Sequence, residues 1–175
     1  IVVGDFNQLQ PIIRTNDNVL VTEWLKKDIF RKNGIISIND KRLNTLKIQR
    51  RMKAPIADIS NHILYDGILE HQPISPELND EPAVSFYNTS SFKPYSTIPP
   101  RGQGRINVYN AVLSIKLAQK YYLLENINHI GIITPYRSQA NLISKLIKDL
   151  NLQSKVSADT VHKFQGLEKD VIIFD

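Results

Sequence analysis

The last third of the chain contains the feature that most restricts its fold, because short apolar runs alternate there with segments of helical periodicity. Ile130–Thr134 is a continuous apolar run, and residues 156–158 and 171–174 are two further short runs. Between them, residues 108–122 and 138–150 carry apolar side chains at helical spacing. Apolar strands separated by helices are typical of parallel βαβ units. The pattern predicts an α/β fold with a mostly parallel sheet and helices on both faces.

The first two thirds of the chain give weaker signals. Residues 1–3 predict the end of a strand, and residues 18–30 and 55–64 predict helices with an apolar stripe. Pro55 suits a first helical turn, where a missing N–H costs nothing. Residues 70–104 carry many prolines, so we expect a mostly irregular surface segment with one strand at residues 84–87.

Composition narrows the class of protein. The 175 residues are 42% hydrophobic and 22% charged, which is typical of a globular chain and not of a disordered one. No apolar run approaches the ~20 residues that span a bilayer, so we expect no membrane partner. The chain has no cysteine, which excludes disulfides and Cys-ligated zinc and fits a cytoplasmic location, or a nuclear one in a eukaryote. The net charge of +5 suits a polyanionic partner, although many basic proteins bind no nucleic acid.

Two groups of polar residues have chemistry that suits phosphate. Asp5 and Gln8 follow the predicted strand at residues 1–3, and ligands of open α/β sheets lie beyond the carboxyl ends of strands. The amide of Gln8 can both donate and accept, so it can hold an attacking water or sense a terminal phosphate. The adjacent guanidinium groups of Arg50 and Arg51 can bind phosphate oxygens through two bonds each. The alternatives are a solvated loop glutamine and an ordinary surface pair of arginines.

Five stretches occur in an order that resembles a known family: VVGDFNQLQPI, IQRRM, NHILYDGIL, GIITPYRSQANLI and ADTVHKFQGLEKDVIIFD. Together they look like the later motifs of superfamily 1 helicases, in the subgroup B that includes the nonsense-mediated-decay helicase. The resemblance covers almost the whole chain, and TVHKFQGLEKDVII is its most specific part. It implies a RecA-like fold of the P-loop NTPase type.

The resemblance implies two catalytic residues. Gln8 matches the γ-phosphate sensor of a Gly-Asp-x-x-Gln-Leu-Pro motif, although Gln10 stands where the family has proline. Arg51 matches the arginine of Gln-Tyr-Arg-Met, the finger that the second RecA-like domain offers to the γ-phosphate. Arg50 replaces the tyrosine that resembles an adenine-stacking platform, which puts base stacking there in doubt. The nucleotide-binding positions that the resemblance implies are Asp5, Gln49, Arg50, Gln165, Gly166 and Glu168.

The resemblance also implies contacts with the backbone of single-stranded or duplex nucleic acid, without a choice between DNA and RNA. The positions that match are Thr134, Tyr136, Arg137, Thr160 and His162. Hydroxyls, backbone N–H groups and an arginine are the donors that phosphate contacts need. We expect no metal site, because His162 makes no ligand spacing with His62, His71 or His129.

The sequence lacks some parts of a complete motor. It contains no G-x-x-x-x-G-K-[ST] and no apolar strand that ends in paired acidic residues. In the family both precede the first stretch, and a further arginine-bearing motif follows the last. We therefore expect residues 1–13 to be the tail of a first RecA-like domain, 14–47 a connection and 48–175 most of a second. On this expectation ATP and Mg bind only in the full-length parent, the isolated chain is inactive, and its partner is the missing first domain.

The sequence leaves three functions open. The first is part of an ATP-dependent helicase or translocase motor. The second is a Mg-dependent phosphodiesterase, because GDFN after an apolar strand also resembles a metal-binding turn in the exonuclease–endonuclease–phosphatase family, with Asp5 and Asn7 near the metal. The third is a nucleic-acid-binding module without catalytic activity.

Overall fold

A computed structural model describes residues 1–10, 18–25, 27–72, 82–99 and 104–175. The chain divides into two compact units, Ile1–Phe86 and Tyr87–Asp175. The predicted domain boundaries after residues 13 and 47 follow from the resemblance alone and stay predictions.

The first unit consists of short helices and one small parallel ladder. Its elements are α1 (Val19–Leu25), α2 (Ile29–Lys32), β1 (Ile48–Gln49), α3 (Ala54–Leu64) and β2 (Glu70–His71). β1 pairs with β2 in parallel, with Ile48 opposite Glu70 and Gln49 opposite His71. α2 ends at Lys32 with Asn33 as its C-cap, and Gly34 then takes a positive φ of 72°, a conformation that is common just after a helix.

Two expectations for this unit are wrong. Residues 1–3 form no strand, since a strand needs a paired neighbour and these side chains are exposed. The predicted helix over residues 18–30 is also not continuous, because α1 ends at Leu25 and α2 begins at Ile29. The apolar stripes of α1 and α3 are exposed: Trp24 and Ile63 are 64% and 70% exposed. Helical spacing places apolar side chains on one face, but it does not supply an element that covers them.

The second unit has a three-stranded parallel sheet with its core on one face. Its elements are α4 (Val108–Tyr122), β3 (Ile130–Thr134), α5 (Arg137–Asp149), β4 (Val156–Thr160), α6 (Val161–Phe164) and β5 (Val171–Phe174), after a 3₁₀ turn at Ser90–Phe92. The strand order is β4-β3-β5, and every pairing is parallel. Ile130 and Ile132 of β3 pack with Ala111 and Ile115 of α4 and with Ile143 of α5. These residues are at most 4% exposed.

Helices contact both faces of this sheet. Side chains alternate along a strand, so Gly131 faces away from the core that Ile130 and Ile132 build. A Cβ at Gly131 would lie 2.6 Å from Cε1 of Phe164 in α6. Phe164 therefore packs against the face opposite α4 and α5. The predicted α/β fold with a parallel sheet is confirmed.

Local boundaries differ little from the predictions in this unit, with one exception. α5 begins one residue earlier than predicted, and β4 continues to Thr160. Residues 84–87 form no strand, because their β-branched and aromatic character finds no ladder partner. The expectations for residues 73–81 and 100–103 lie outside the described part of the chain. No helix in the described ranges is long and apolar enough to cross a membrane.

Candidate functional site

The GDFNQ turn (residues 4–8) is fixed in the first unit by its aromatic residue. Phe6 is 7% exposed, and its ring lies 5.9 Å from the ring of Phe30 in α2. Arg31 donates to the carbonyl oxygen of Phe6 at 3.2 Å. Gly4 allows this packing, since a Cβ there would lie 3.1 Å from Cε2 of Phe30. The buried ring of Phe6 therefore fixes the backbone of the turn that carries the polar side chains.

Asp5 is the centre of a hydrogen-bond cluster in this turn. Its Oδ1 accepts from the backbone N–H of Asn7 at 3.0 Å. Its Oδ2 accepts from Nε2 of Gln8 at 3.0 Å and from the hydroxyl of Tyr65 at 2.5 Å. Burial, the bond to Asp5 and the charge of that carboxylate together raise the pKa of Tyr65 to about 12. Tyr65 thus remains a donor at neutral pH.

The QRRM turn (residues 49–52) follows β1 and is closed by the amide of Gln49. Nε2 of Gln49 donates to the carbonyl oxygen of Met52 at 2.9 Å, and Oε1 accepts from the N–H of Met52 at 2.9 Å. Gln49 also contacts Nδ1 of His71 on β2. Arg50 donates twice to Oε1 of Gln72, at 2.8 and 3.2 Å. Arg51 is exposed and lies three residues before α3 begins.

The predicted nucleic-acid contacts gather at the carboxyl ends of β3 and β4. Thr134 and Thr160 are partners in the parallel register. Arg137, in the first turn of α5, donates to Oδ1 of Asp159 at 2.7 Å, and its side chain is 61% exposed. Tyr136 and His162 are exposed, whereas Thr134 is buried beneath this surface. Tyr136, Arg137 and His162 are therefore the exposed members of the predicted set, and Thr160 is half-buried.

The remaining predicted residues lie between α6 and β5. Gly166 has a φ of +83°, which only glycine adopts without strain. The turn closes where the N–H of Leu167 donates to the carbonyl oxygen of Phe164 at 2.9 Å. Gln165 and Glu168 flank Gly166 and are exposed. The predicted nucleotide-binding residues are thus divided between the two units.

A cavity of about 250 Å³ opens beside Thr134 and Tyr136 in the second unit, and Arg105, Asn110, Gln139 and Asp175 also line it. Gln139 is 4% exposed and joins three elements. Its amide bonds both backbone groups of Asn107 at the start of α4, and Nε2 also donates to Oδ2 of Asp175 at 2.6 Å. Burial raises the pKa of Asp175, against the hydrogen bonds from Gln139 and Ser114.

The sequence pattern assigned no role to several of these residues. Tyr65, Gln139 and Asp175 all lie within the stretches that carry the family resemblance, and only their positions in the fold join them to Asp5 and Asn107. Arg105 had no signal beyond its charge.

The geometry gives little support to a metal-dependent phosphodiesterase. Asp5 and Asn7 are the residues that this function would place near a metal, and both bond other protein groups. Asp5 accepts from Tyr65 and Gln8, and Nδ2 of Asn7 donates to the carbonyl oxygen of Leu64 at 2.7 Å. Within the residues that the structure describes, no three His, Asp or Glu side chains cluster in a way that could hold a metal ion.

The chain matches one protein family and is similar to several known proteins. The AAA domain family matches residues 25–175. The chain is similar to the DNA polymerase alpha-associated DNA helicase A of Saccharomyces cerevisiae, at 28% identity over 199 residues. It is also similar to the regulator of nonsense transcripts 1 of Dictyostelium discoideum, at 27% over 188 residues. A third relative is the DNA replication ATP-dependent helicase/nuclease DNA2 of Xenopus laevis, at 28% over 207 residues. Each alignment covers 99% of this chain but only 28%, 14% and 19% of the respective relative.

Proposed function

This chain belongs to the AAA domain family, and from that premise we propose that it works as part of an ATP-dependent superfamily 1 helicase motor. The resemblance to superfamily 1 helicases is confirmed, since relatives that align along nearly the whole chain carry helicase names. The activity of a complete motor is a proposal, because the chain spans between about a tenth and a quarter of these relatives.

The observation that carries the proposal is the fixed amide of Gln8. A carboxylate can only accept hydrogen bonds, so the amide atom that faces Oδ2 of Asp5 at 3.0 Å must be Nε2. Oε1 of the same amide then has the chemistry to accept a hydrogen bond from a water molecule. A glutamine that orients water toward a terminal phosphate is a recurring part of phosphoryl-transfer sites. Gln8 therefore suits the role of γ-phosphate sensor.

Arg51 suits the role of an arginine finger. It is exposed and lies three residues before α3 begins. A guanidinium that reaches a transferring phosphoryl group stabilises charge that develops in the transition state. Gln49 fixes the turn beneath Arg51 through its two bonds to Met52.

The nucleotide itself supplies the phosphoryl group, and Mg²⁺ would neutralise charge on its oxygens. This chain contains no P-loop lysine, so in this proposal the principal phosphate ligands belong to another part of the parent protein. In this proposal Asp5, Gln8, Gln49, Arg50 and Arg51 are nucleotide-binding residues. Gln165, Gly166 and Glu168 are proposed as residues that contact the ribose and phosphates of the nucleotide.

Nucleic acid would bind across the carboxyl ends of β3 and β4. Tyr136 offers an exposed ring on which a base can stack, and Arg137 and His162 offer polar groups for phosphate. The ion pair of Arg137 with Asp159 is largely exposed, so a phosphate can compete for the guanidinium at small cost. Thr134 would support this surface from below, and Thr160 would lie at its edge.

The test is ATP hydrolysis by the protein expressed from the complete reading frame, with and without single-stranded DNA or RNA. We expect hydrolysis that nucleic acid stimulates, and no hydrolysis by the isolated 175-residue chain. Tyr136→Ala should raise the nucleic-acid concentration for half-maximal stimulation about ten-fold, which corresponds to one lost base stack, with the unstimulated rate retained. Tyr87→Ala is the matched control, since Tyr87 and Tyr136 are similarly exposed, at 48% and 45%.

Two results would contradict the proposal. A full-length protein that hydrolyses no ATP under any of these conditions would leave only nucleic-acid binding. EDTA-sensitive cleavage of nucleic acid by the isolated chain would instead favour the phosphodiesterase.

A further inference from the structure

Two hydrogen bonds join the GDFNQ turn to the end of α3 within the first unit. The hydroxyl of Tyr65 donates to Oδ2 of Asp5 at 2.5 Å, and Nδ2 of Asn7 donates to the carbonyl oxygen of Leu64 at 2.7 Å. Leu64 is the last residue of α3 and Tyr65 is its C-cap. The turn therefore satisfies one of the carbonyl groups that the end of a helix leaves without an internal partner.

Hydrogen bonds in the turn after α3 fix the position of Tyr65. The side-chain amide of Asn61 bonds the N–H and the carbonyl oxygen of Leu69, at 2.9 and 3.0 Å. The carbonyl oxygen of Asn61 accepts from the N–H of Tyr65 at 3.2 Å and from that of Gly67 at 3.1 Å. Asp66 and Gly67 take positive φ values of 51° and 75°, which reverse the chain immediately after Tyr65. This closed turn holds the phenol against Asp5.

Asp5 transmits this restraint to Gln8. Oδ2 accepts from both Tyr65 and Gln8, so the phenol fixes the oxygen toward which the amide of Gln8 is oriented. Hydrogen bonds to a charged acceptor are stronger than neutral ones. The raised pKa of Tyr65, near 12, keeps the phenol protonated at working pH.

We propose that Tyr65 is a positioning residue that holds Gln8 through Asp5 and couples the GDFNQ turn to α3. The inference rests on the proposed function, because it assigns Tyr65 to the same phosphate-sensing site. α3 begins three residues after Arg51 and ends at Leu64. The 11-residue helix α3 thus lies between the QRRM turn, which precedes it, and the GDFNQ turn, which bonds its end.

The experiment measures steady-state ATP hydrolysis by the full-length protein carrying Tyr65→Phe. Loss of one charge-assisted hydrogen bond should lower kcat about ten-fold with little change in KM for ATP, because a misoriented Gln8 slows the attack of water more than it weakens nucleotide binding. Tyr122→Phe is the matched control, since it removes a tyrosine hydroxyl that bonds Ser154 at 2.9 Å far along the chain from the turn. Its kcat should equal that of the wild type.

A double-variant comparison separates positioning from a general structural effect. If Tyr65 acts through Gln8, then Tyr65→Phe should lower kcat no further in a Gln8→Ala background. A fold-change of the same size in that background would overturn the inference, and so would a folded Tyr65→Phe protein with wild-type kcat.

Asn7→Ala gives the same test through the second bond if Tyr65→Phe does not fold. It should lower kcat about three-fold in the wild-type background and not in the Gln8→Ala background, and unchanged kcat in the wild-type background would overturn the inference. A wild-type protein with no ATP hydrolysis would contradict the proposed function instead, so the two failures are distinguishable.

Discussion

Asp175 makes a pH-dependent contribution to stability that one substitution can reveal. Burial raises its pKa above the ordinary value of 3.8, so the folded state binds the proton more tightly than the unfolded state. This contribution is fully present below pH 3.8 and is lost as the pH rises through the folded pKa. Near neutral pH the ionised carboxylate therefore destabilises the fold.

Asp175→Asn should remove this penalty. The asparagine carbonyl oxygen can still accept from Gln139, and the side chain carries no charge to desolvate. We expect the midpoint of thermal unfolding to rise on the order of 2 °C at pH 7, because partial exposure screens the effect, and the gain to disappear near pH 3. The control is Asp149→Asn, because Asp149 is an exposed residue at the end of α5. A gain that persists at pH 3 would contradict this account.

At the residue scale, the sequence proposes which residues belong to a site but not what they contact. Asp5, Gln8 and Arg51 are predicted site residues because a motif fixes their order along the chain, and these roles stay predictions. The bond between Asp5 and Tyr65 joins residues 60 positions apart, and no local pattern encodes such a pairing. The sequence also did not predict that Thr134 is buried. This residue ends β3, and its burial depends on the packing of neighbouring elements.

At the element scale, the packing of α6 depends on the absence of a side chain in β3. An added Cβ at Gly131 would lie 2.6 Å from the ring of Phe164 and 3.2 Å from Cγ of Lys169. Gly131→Ala must therefore displace the side chain of Phe164 in α6. We expect a loss of about 1–3 kcal/mol in the free energy of unfolding, as is common for an overpacked site.

Chemical denaturation measures this loss, with Ser157→Ala as the control. Ser157 is the register partner of Gly131 on β4, and it is exposed, so its substitution should change the free energy by less than about 0.5 kcal/mol. Equal free energies for Gly131→Ala and the wild type would show that Phe164 does not pack on this strand.

Elements were predicted best where periodicity and burial agree. α4, β3, α5 and β5 follow the predicted spans closely, and their inward residues include Ala111, Ile115 and Ile143. The predicted strands at residues 1–3 and 84–87 are not formed, because β propensity has no effect without a neighbouring strand. The two-residue strands β1 and β2 are too short for periodicity to detect.

At the scale of the whole molecule, the alternation of apolar strands and helices was enough to predict the α/β class and the parallel sheet. The strand order β4-β3-β5 was not predicted, since sequence order alone does not say which strand lies in the centre. The burial of all five residues of β3 gives the physical reason for that order, because a central strand is covered on both faces and paired on both edges.

The most direct test of the motor proposal is the kcat of ATP hydrolysis by the full-length protein with Arg51→Ala, in the presence of saturating single-stranded nucleic acid. Loss of an arginine finger should lower kcat about a thousand-fold, while the affinity for nucleic acid stays near the wild-type value. Arg42→Ala is the control, because it removes an exposed arginine that pairs with Asp40 in the same unit. A kcat for Arg51→Ala equal to that of the wild type would contradict the account.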